Sequence, residues 1–173
     1  MLAERWTFCF IGGLALIRWG EPRLTGDVDV SLFTGFGNEE AIVARLLSHY
    51  SPRLPDAARF ALRHRTLLLV SAEGIPMDIG LTALPFERDV IGRASEFDFL
   101  PDVRLRTCSA EDLIVLKAFA DSGQDRIDIA GVIRRRKASL DWKLIESNLT
   151  PLVELKGEPE ILVNLRRLQE SLC

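Results

Sequence analysis

Trp6-Thr-Phe-Cys-Phe-Ile-Gly-Gly13, then Leu14-Ala-Leu-Ile-Arg-Trp-Gly20, then Asp27-Val-Asp-Val-Ser-Leu-Phe33 is the stretch whose reading decides the fold. The first part is aromatic and β-branched, and predicts a buried strand that runs into a glycine turn. The second predicts a short helix stopped by Gly20 and Pro22. The third alternates polar and apolar residues, which predicts a second strand.

Working outward, the spacing of Ile42, Val43, Leu46 and Leu47 predicts a helix over 39–50, ended by Pro52 and Pro55. Two β-rich runs, 66–71 and 75–81, flank Ala72-Glu-Gly74 and predict a hairpin. Residues 86–94 are polar and read as irregular or a short helix, and 103–107 as a short strand. Ser109-Ala-Glu-Asp112 has the form of a helix cap. The helix behind it ends at Ser122-Gly123. Further helices are expected over 125–137, 141–149 and 160–172, with Pro151 and Pro159 bracketing a loop. Strands crowd the first two thirds and helices the last third. The fold class is therefore α+β: a mixed sheet with flanking helices, then a C-terminal helical subregion. The expected division is a core at 1–107 and helices at 108–173, packed as a single unit. Met1–Arg5 are too few for an element of their own.

The chain has 173 residues, 47% apolar and 27% charged, which suits one globular domain and excludes disorder and fibrous folds. The longest apolar runs, 8–17 and 66–70, fall short of the ~20 residues a membrane helix needs. No signal-peptide pattern opens the chain. Cys9, Cys108 and Cys173 are odd in number and widely spaced, which suits reduced thiols and a cytoplasmic protein. The net charge of −3 argues against a dedicated non-specific DNA binder.

The chemistry centres on Asp27 and Asp29. Two apart in a strand, their carboxylates leave the same face, where they repel each other unless a cation intervenes. Mg²⁺ takes one or two carboxylates together with substrate phosphates. Asp78, between Met77 and Ile79, brings a third acid to the same place if its strand lies alongside. Three such carboxylates can hold two metals for in-line phosphoryl transfer. Gly12-Gly13 lets backbone N–H groups approach a phosphate at a helix N-terminus. Each feature alone has a plain structural reading: exposed strand acids, or a tight turn. Together, with Arg23-Leu-Thr25-Gly-Asp27 between them, they are more specific. Lys117, in an apolar helical run, reads by itself as a snorkelling surface lysine. Two basic segments, one of Arg53, Arg59, Arg63, His64 and Arg65 and one of Arg134-Arg-Arg-Lys137, are solvated faces unless they flank the carboxylates, where they could hold an RNA backbone.

Phe10-Ile-Gly-Gly-Leu-Ala15 followed by Arg23-Leu-Thr-Gly-Asp-Val-Asp-Val30 resembles the signature of the DNA polymerase beta-type nucleotidyltransferase superfamily. More narrowly the chain resembles the AbiEii-like branch, which includes toxins of toxin-antitoxin pairs. The resemblance continues in Pro76-Met-Asp-Ile79, Ser109–Lys117 and Gln124-Asp-Arg-Ile-Asp-Ile129. It implies that Asp27, Asp29 and Asp78 are catalytic and bind two Mg²⁺ ions, with Mn²⁺ as the alternative. It implies that Gly12, Gly13, Thr25, Lys117, Asp125 and Asp128 bind the nucleotide, with helix capping as the competing role of Asp125. The substrate would be an NTP, ATP among them. The acceptor would be an RNA 3′ end such as a tRNA, or else a protein or small molecule. A cognate antitoxin would be the partner, and no membrane is involved. Two features depart from the superfamily. Many members carry Gly-Ser where this chain has Gly12-Gly13, and relatives usually begin with a helix for which only five residues precede Trp6. A catalytically silent nucleotide-binding module and a metal nuclease are the other classes open to the same residues.

Overall fold

A computed structural model describes residues 6–172; the readings of Met1–Arg5 and of the Cys173 thiol lie outside the described residues. The chain forms two compact units. The first comprises the residues up to Leu14 together with Leu24–Cys108, and the second Ala15–Arg23 together with Ser109–Cys173.

The first unit is built on a mixed seven-stranded sheet: β1 (Phe8–Phe10), β2 (Val28–Phe33), β3 (Ser51–Pro52), β4 (Thr66–Val70), β5 (Pro76–Thr82), β6 (Ser95–Leu100) and β7 (Val103–Thr107), in the order β3-β4-β5-β2-β1-β7-β6. The helices α1 (Gly12–Trp19), α2 (Glu39–Leu47), α3 (Ala57–His64) and α4 (Pro85–Arg93) fall between these strands in sequence. The strand β2 is antiparallel to β1 and parallel to β5, while β1 and β7 are parallel. Consequently the end of β1, the starts of β2 and β5 and the end of β7 all lie at one edge of the sheet.

Strand alternation sorts the two faces. Val30, Leu32, Leu67, Leu69, Ile79 and Leu81 form the core with Val43 and Leu46 of α2 and Ala57 and Ala61 of α3. Asp29, Ser31, Asp78 and Gly80 alternate onto the other face. Cys9 and Cys108 are buried thiols.

Two elements lie outside the sequence reading, and one reading needs correction. The basic segment after Pro52 contains a helix, α3. Its buried stripe is only Ala57 and Ala61, four residues apart, so large apolar residues do not announce it. Ser95-Glu-Phe-Asp-Phe-Leu100 is the edge strand β6, whose alternation is there to be read but whose residues are mostly exposed. Pro151 does not open a loop, because α7 (Trp142–Lys156) runs through it. Ile145, Leu149 and Val153 are buried on either side and hold the helix. The true stop is Gly157, at φ 75°, whose N–H and that of Glu158 both bond the Val153 carbonyl.

In the second unit, α5 (Ala110–Ala120), α6 (Gly123–Arg136), α7 and α8 (Glu160–Leu172) pack on one another. The Ser109 cap forms as expected, its Oγ accepting from the Asp112 N–H at 3.0 Å.

Candidate active site

Asp29 and Asp78 are register partners on adjacent parallel strands. Partnered positions share a face, and neighbouring strands lie about 4.8 Å apart, so the two carboxylates leave the sheet side by side. Asp27 sits in the bend just before β2 rather than inside the strand. There the Thr25 hydroxyl donates to its Oδ1 at 2.8 Å and to its carbonyl at 3.2 Å. The turn therefore aims Asp27 by a local side-chain bond, not by strand alternation.

The two glycines lie against these residues. Gly12 has φ +56°, which glycine adopts without steric cost. A Cβ there would fall 2.7 Å from Asp29 Cγ and 2.9 Å from Asp29 Cβ. A Cβ on Gly13 would fall 2.6 Å from Thr25 Cβ. Both positions require glycine because the backbone touches the acid-bearing segment. The Ile11 N–H bonds the Asp29 carbonyl at 3.0 Å, which sets that spacing. No acidic residue lies in the first turn of α1 itself, and the carboxylate at its N-terminus is that of Asp29.

Asp78 is ion-paired with Arg53. Arg53 is held on β4 by its own N–H, which bonds the Leu68 carbonyl at 3.0 Å, and Leu68 is the register partner of Asp78. Among the described residues no three His, Cys, Asp or Glu side chains stand ready as a metal cage. Thr25 and Arg53 each engage one of the three acids. The donor set still suits Mg²⁺, a hard ion bound by one or two carboxylates with phosphate oxygens, not by an all-protein cage.

The remaining residues of the basic segment part company. Arg65 binds Glu39 at 2.6 Å and lies over Phe36. Its carbonyl accepts from Leu81, near the end of β5 away from Asp78. Arg59, Arg63 and His64 are exposed on α3.

The helical unit has its own polar cluster. Lys117 is buried, not a surface lysine, and its ammonium lies 2.9 Å from Asp125 and 2.7 Å from Asp128. Asp128 also accepts two bonds from Arg23, each 3.0 Å, and one from Gln124 at 2.9 Å. Burial by itself would raise the Asp128 pKa; the bonds from Arg23, Lys117 and Gln124 outweigh it and hold the value at about 2. Burial opposes Asp125 likewise, and Lys117 and Ser122 keep it below the usual range. Asp125 caps α6 as well, accepting from the Ser122 N–H and hydroxyl while Ser122 Oγ accepts from the Asp125 N–H. The second basic segment serves α1: Arg135 donates to the carbonyls of Gly20 (2.7 Å) and Ile17 (3.4 Å), and Arg136 lies over Trp19.

Residues 2–138 match the family described as "Nucleotidyl transferase AbiEii toxin, Type IV TA system". The chain belongs to this AbiEii nucleotidyltransferase toxin family. The matched span of this AbiEii chain holds every acid, glycine and lysine of the candidate site. A crystal structure of an antigenic nucleotidyltransferase-like protein from Paracoccidioides brasiliensis shares the fold, with a TM-score of 0.51 at 16% identity over 95% of this chain and 86% of that one. No curated protein matches the chain. Two arginines carry more in this AbiEii chain than sequence reasoning assigned them. Arg53 was one cation in a basic segment and Arg23 part of a motif without a role. The partner of each is distant in sequence, and only the fold discloses it.

Proposed function

We propose that this AbiEii nucleotidyltransferase is Mg²⁺-dependent and moves a nucleoside monophosphate from an NTP to the 3′ hydroxyl of an RNA such as a tRNA. The bond between the α-phosphorus and its bridging oxygen breaks, a phosphoester forms to the acceptor oxygen, the hydroxyl proton leaves, and pyrophosphate is released. The observation that carries this reading is the register pairing of Asp29 with Asp78 at the edge where Gly12-Gly13 turns β1 into α1.

Asp27, Asp29 and Asp78 are the residues to hold divalent ions, Mg²⁺ or Mn²⁺. Such ions, when bound, neutralise phosphate charge and acidify a coordinated hydroxyl. In this reading Asp78 takes the acceptor hydroxyl's proton. Thr25 keeps Asp27 aimed. The first N–H groups of α1, at Gly12 and Gly13, take triphosphate oxygens. Lys117, with Asp125 and Asp128 fixing its ammonium, is the nucleotide-binding group proposed for the helical unit. Catalysis is then mostly positioning and charge stabilisation. An RNA acceptor is supported by the family's description as a toxin. An antitoxin is the partner that description implies. None of the described helices is long and apolar enough to cross a membrane.

The test incubates wild type and Asp29→Asn with each α-³²P-labelled NTP, Mg²⁺ and total RNA. Label in RNA with wild type alone is the expected result and names the base. Label on protein instead replaces the acceptor. Full transfer by Asp29→Asn overturns the metal assignment.

A further inference from the structure

Arg53, just past β3, lies in one row with Leu68, Asp78 and Asp29 of β4, β5 and β2, set by the Arg53 N–H bond to Leu68 and by the register Leu68↔Asp78↔Asp29. The row places one guanidinium on Asp78, whose register partner on β2 is Asp29. The Arg53 and Asp78 side chains are only 32% and 33% exposed, so both are partly sheltered yet open to a solvent-borne ligand. Their bond uses a single guanidinium nitrogen, Nη2, and a single carboxylate oxygen, Oδ1. A guanidinium carries five N–H donors in a planar fork, a geometry that fits phosphate oxygens as well as carboxylate. Most of that fork is left for another anion.

A guanidinium bonded to Asp78 Oδ1 and a divalent ion repel each other and compete for the same carboxylate. We propose, resting on the metal reading of the acids above, that Arg53 is a phosphate-binding residue of this site: it neutralises Asp78 in the ligand-free protein, yields that carboxylate to the divalent ion, and turns its fork onto a phosphate of the incoming substrate. Arg53 then answers a problem the acids pose. Unneutralised carboxylates repel the triphosphate they must receive, and a cation that changes partners removes repulsion before binding and adds attraction after it. The phosphate is that of the nucleotide or of the acceptor strand. The chemistry is shared, and the experiment separates the two.

Arg53→Gln, Arg53→Lys and Asp29→Asn are compared with wild type in three binding measurements. These are Mn²⁺ alone by electron paramagnetic resonance, Mg²⁺ with inorganic triphosphate by calorimetry, and a single-stranded RNA 12-mer by fluorescence anisotropy. A partly exposed ion pair contributes little to stability, so both Arg53 variants fold, which circular dichroism checks. Arg53→Gln is expected to bind Mn²⁺ at least threefold more tightly, because its competitor is gone. It is expected to bind either triphosphate or RNA about tenfold more weakly, the loss of a charge-assisted bond. Loss on triphosphate assigns the nucleotide phosphate and loss on RNA the acceptor's. Arg53→Lys keeps a point charge without the fork and is expected to fall between. Unchanged Mn²⁺ binding, or unchanged binding of both anions, overturns the proposal. If Asp29→Asn loses Mn²⁺ while Arg53→Gln behaves as wild type, only the role of Arg53 fails. If Asp29→Asn keeps Mn²⁺, the metal reading itself fails.

Discussion

Replacing Gly12, Gly13 and Gly37 by alanine, one at a time, separates the two reasons a glycine can be needed. Gly37 sits at φ +88° with nothing within 4 Å of its missing Cβ, so alanine there meets backbone strain alone. That costs about 1–2 kcal/mol, roughly 3–6 °C in Tm for a chain of this size. Gly13 lies outside the left-handed region, but its Cβ would meet Thr25 Cβ at 2.6 Å and Cγ2 at 3.0 Å. Thr25 is on an irregular loop that can give, so about 1–2 kcal/mol of overpacking is expected. Gly12 combines both costs. Its φ is +56°, and the obstacle is Asp29, whose carboxylate can rotate away but whose Cβ, at 2.9 Å, is fixed to β2. The sum is about 4 kcal/mol, roughly 10 °C in Tm. Thermal unfolding followed by circular dichroism reads all three. A Gly12→Ala protein melting within about 2 °C of wild type, or one more stable than Gly13→Ala, would refute the claim that strand-anchored Asp29 packs on this turn.

Asp128, held at about 2 against 3.8 unfolded, favours the folded state by about 2 kcal/mol above pH ~4, and this is lost as the pH falls through 2. Urea midpoints at pH 5 and pH 2.5 should therefore fall further for wild type than for Asp128→Asn; identical slopes would show that the carboxylate is not held by Arg23 and Lys117. Pro151 is exposed and inside α7, where it lacks an N–H; Pro151→Ala should raise stability by about 1–3 kcal/mol, and a lower Tm would mean that the helix is adapted to the proline.

What could be read from the sequence was local. Alternation in Val28–Phe33, the Gly12-Gly13 turn and the Ser109 cap each depend on neighbours within a few residues, and each forms. What could not be read was pairing at a distance. Nothing in Met77-Asp78-Ile79 says that β5 lies parallel to β2, and that pairing alone puts Asp78 opposite Asp29. The same holds for Arg53, whose partner is reached across β4. It holds too for Lys117, whose apolar neighbours suggest a snorkelling cation until Asp125 and Asp128 of the next helix close on it. The helix α3 escaped because alanines make a faint stripe, and Pro151 misled because a proline's local preference yields to buried residues on both sides.

The Gly-Gly pair, where many superfamily members have Gly-Ser, has a physical explanation in Thr25. A serine at position 13 would bring its Cβ to 2.6 Å from Thr25 Cβ, so a side chain at 13 and a threonine at 25 crowd each other and one must shift. The chain keeps the hydroxyl that sits on the loop. That hydroxyl is already engaged, donating to both the carboxylate and the carbonyl of Asp27. It fixes the one acid of the three that no strand holds, since β2 begins a residue later. Asp29 and Asp78 are aimed by register and need no such help. The departure at position 13 is therefore the counterpart of a threonine at 25: the turn gives up a hydroxyl, and the loop that delivers Asp27 carries one.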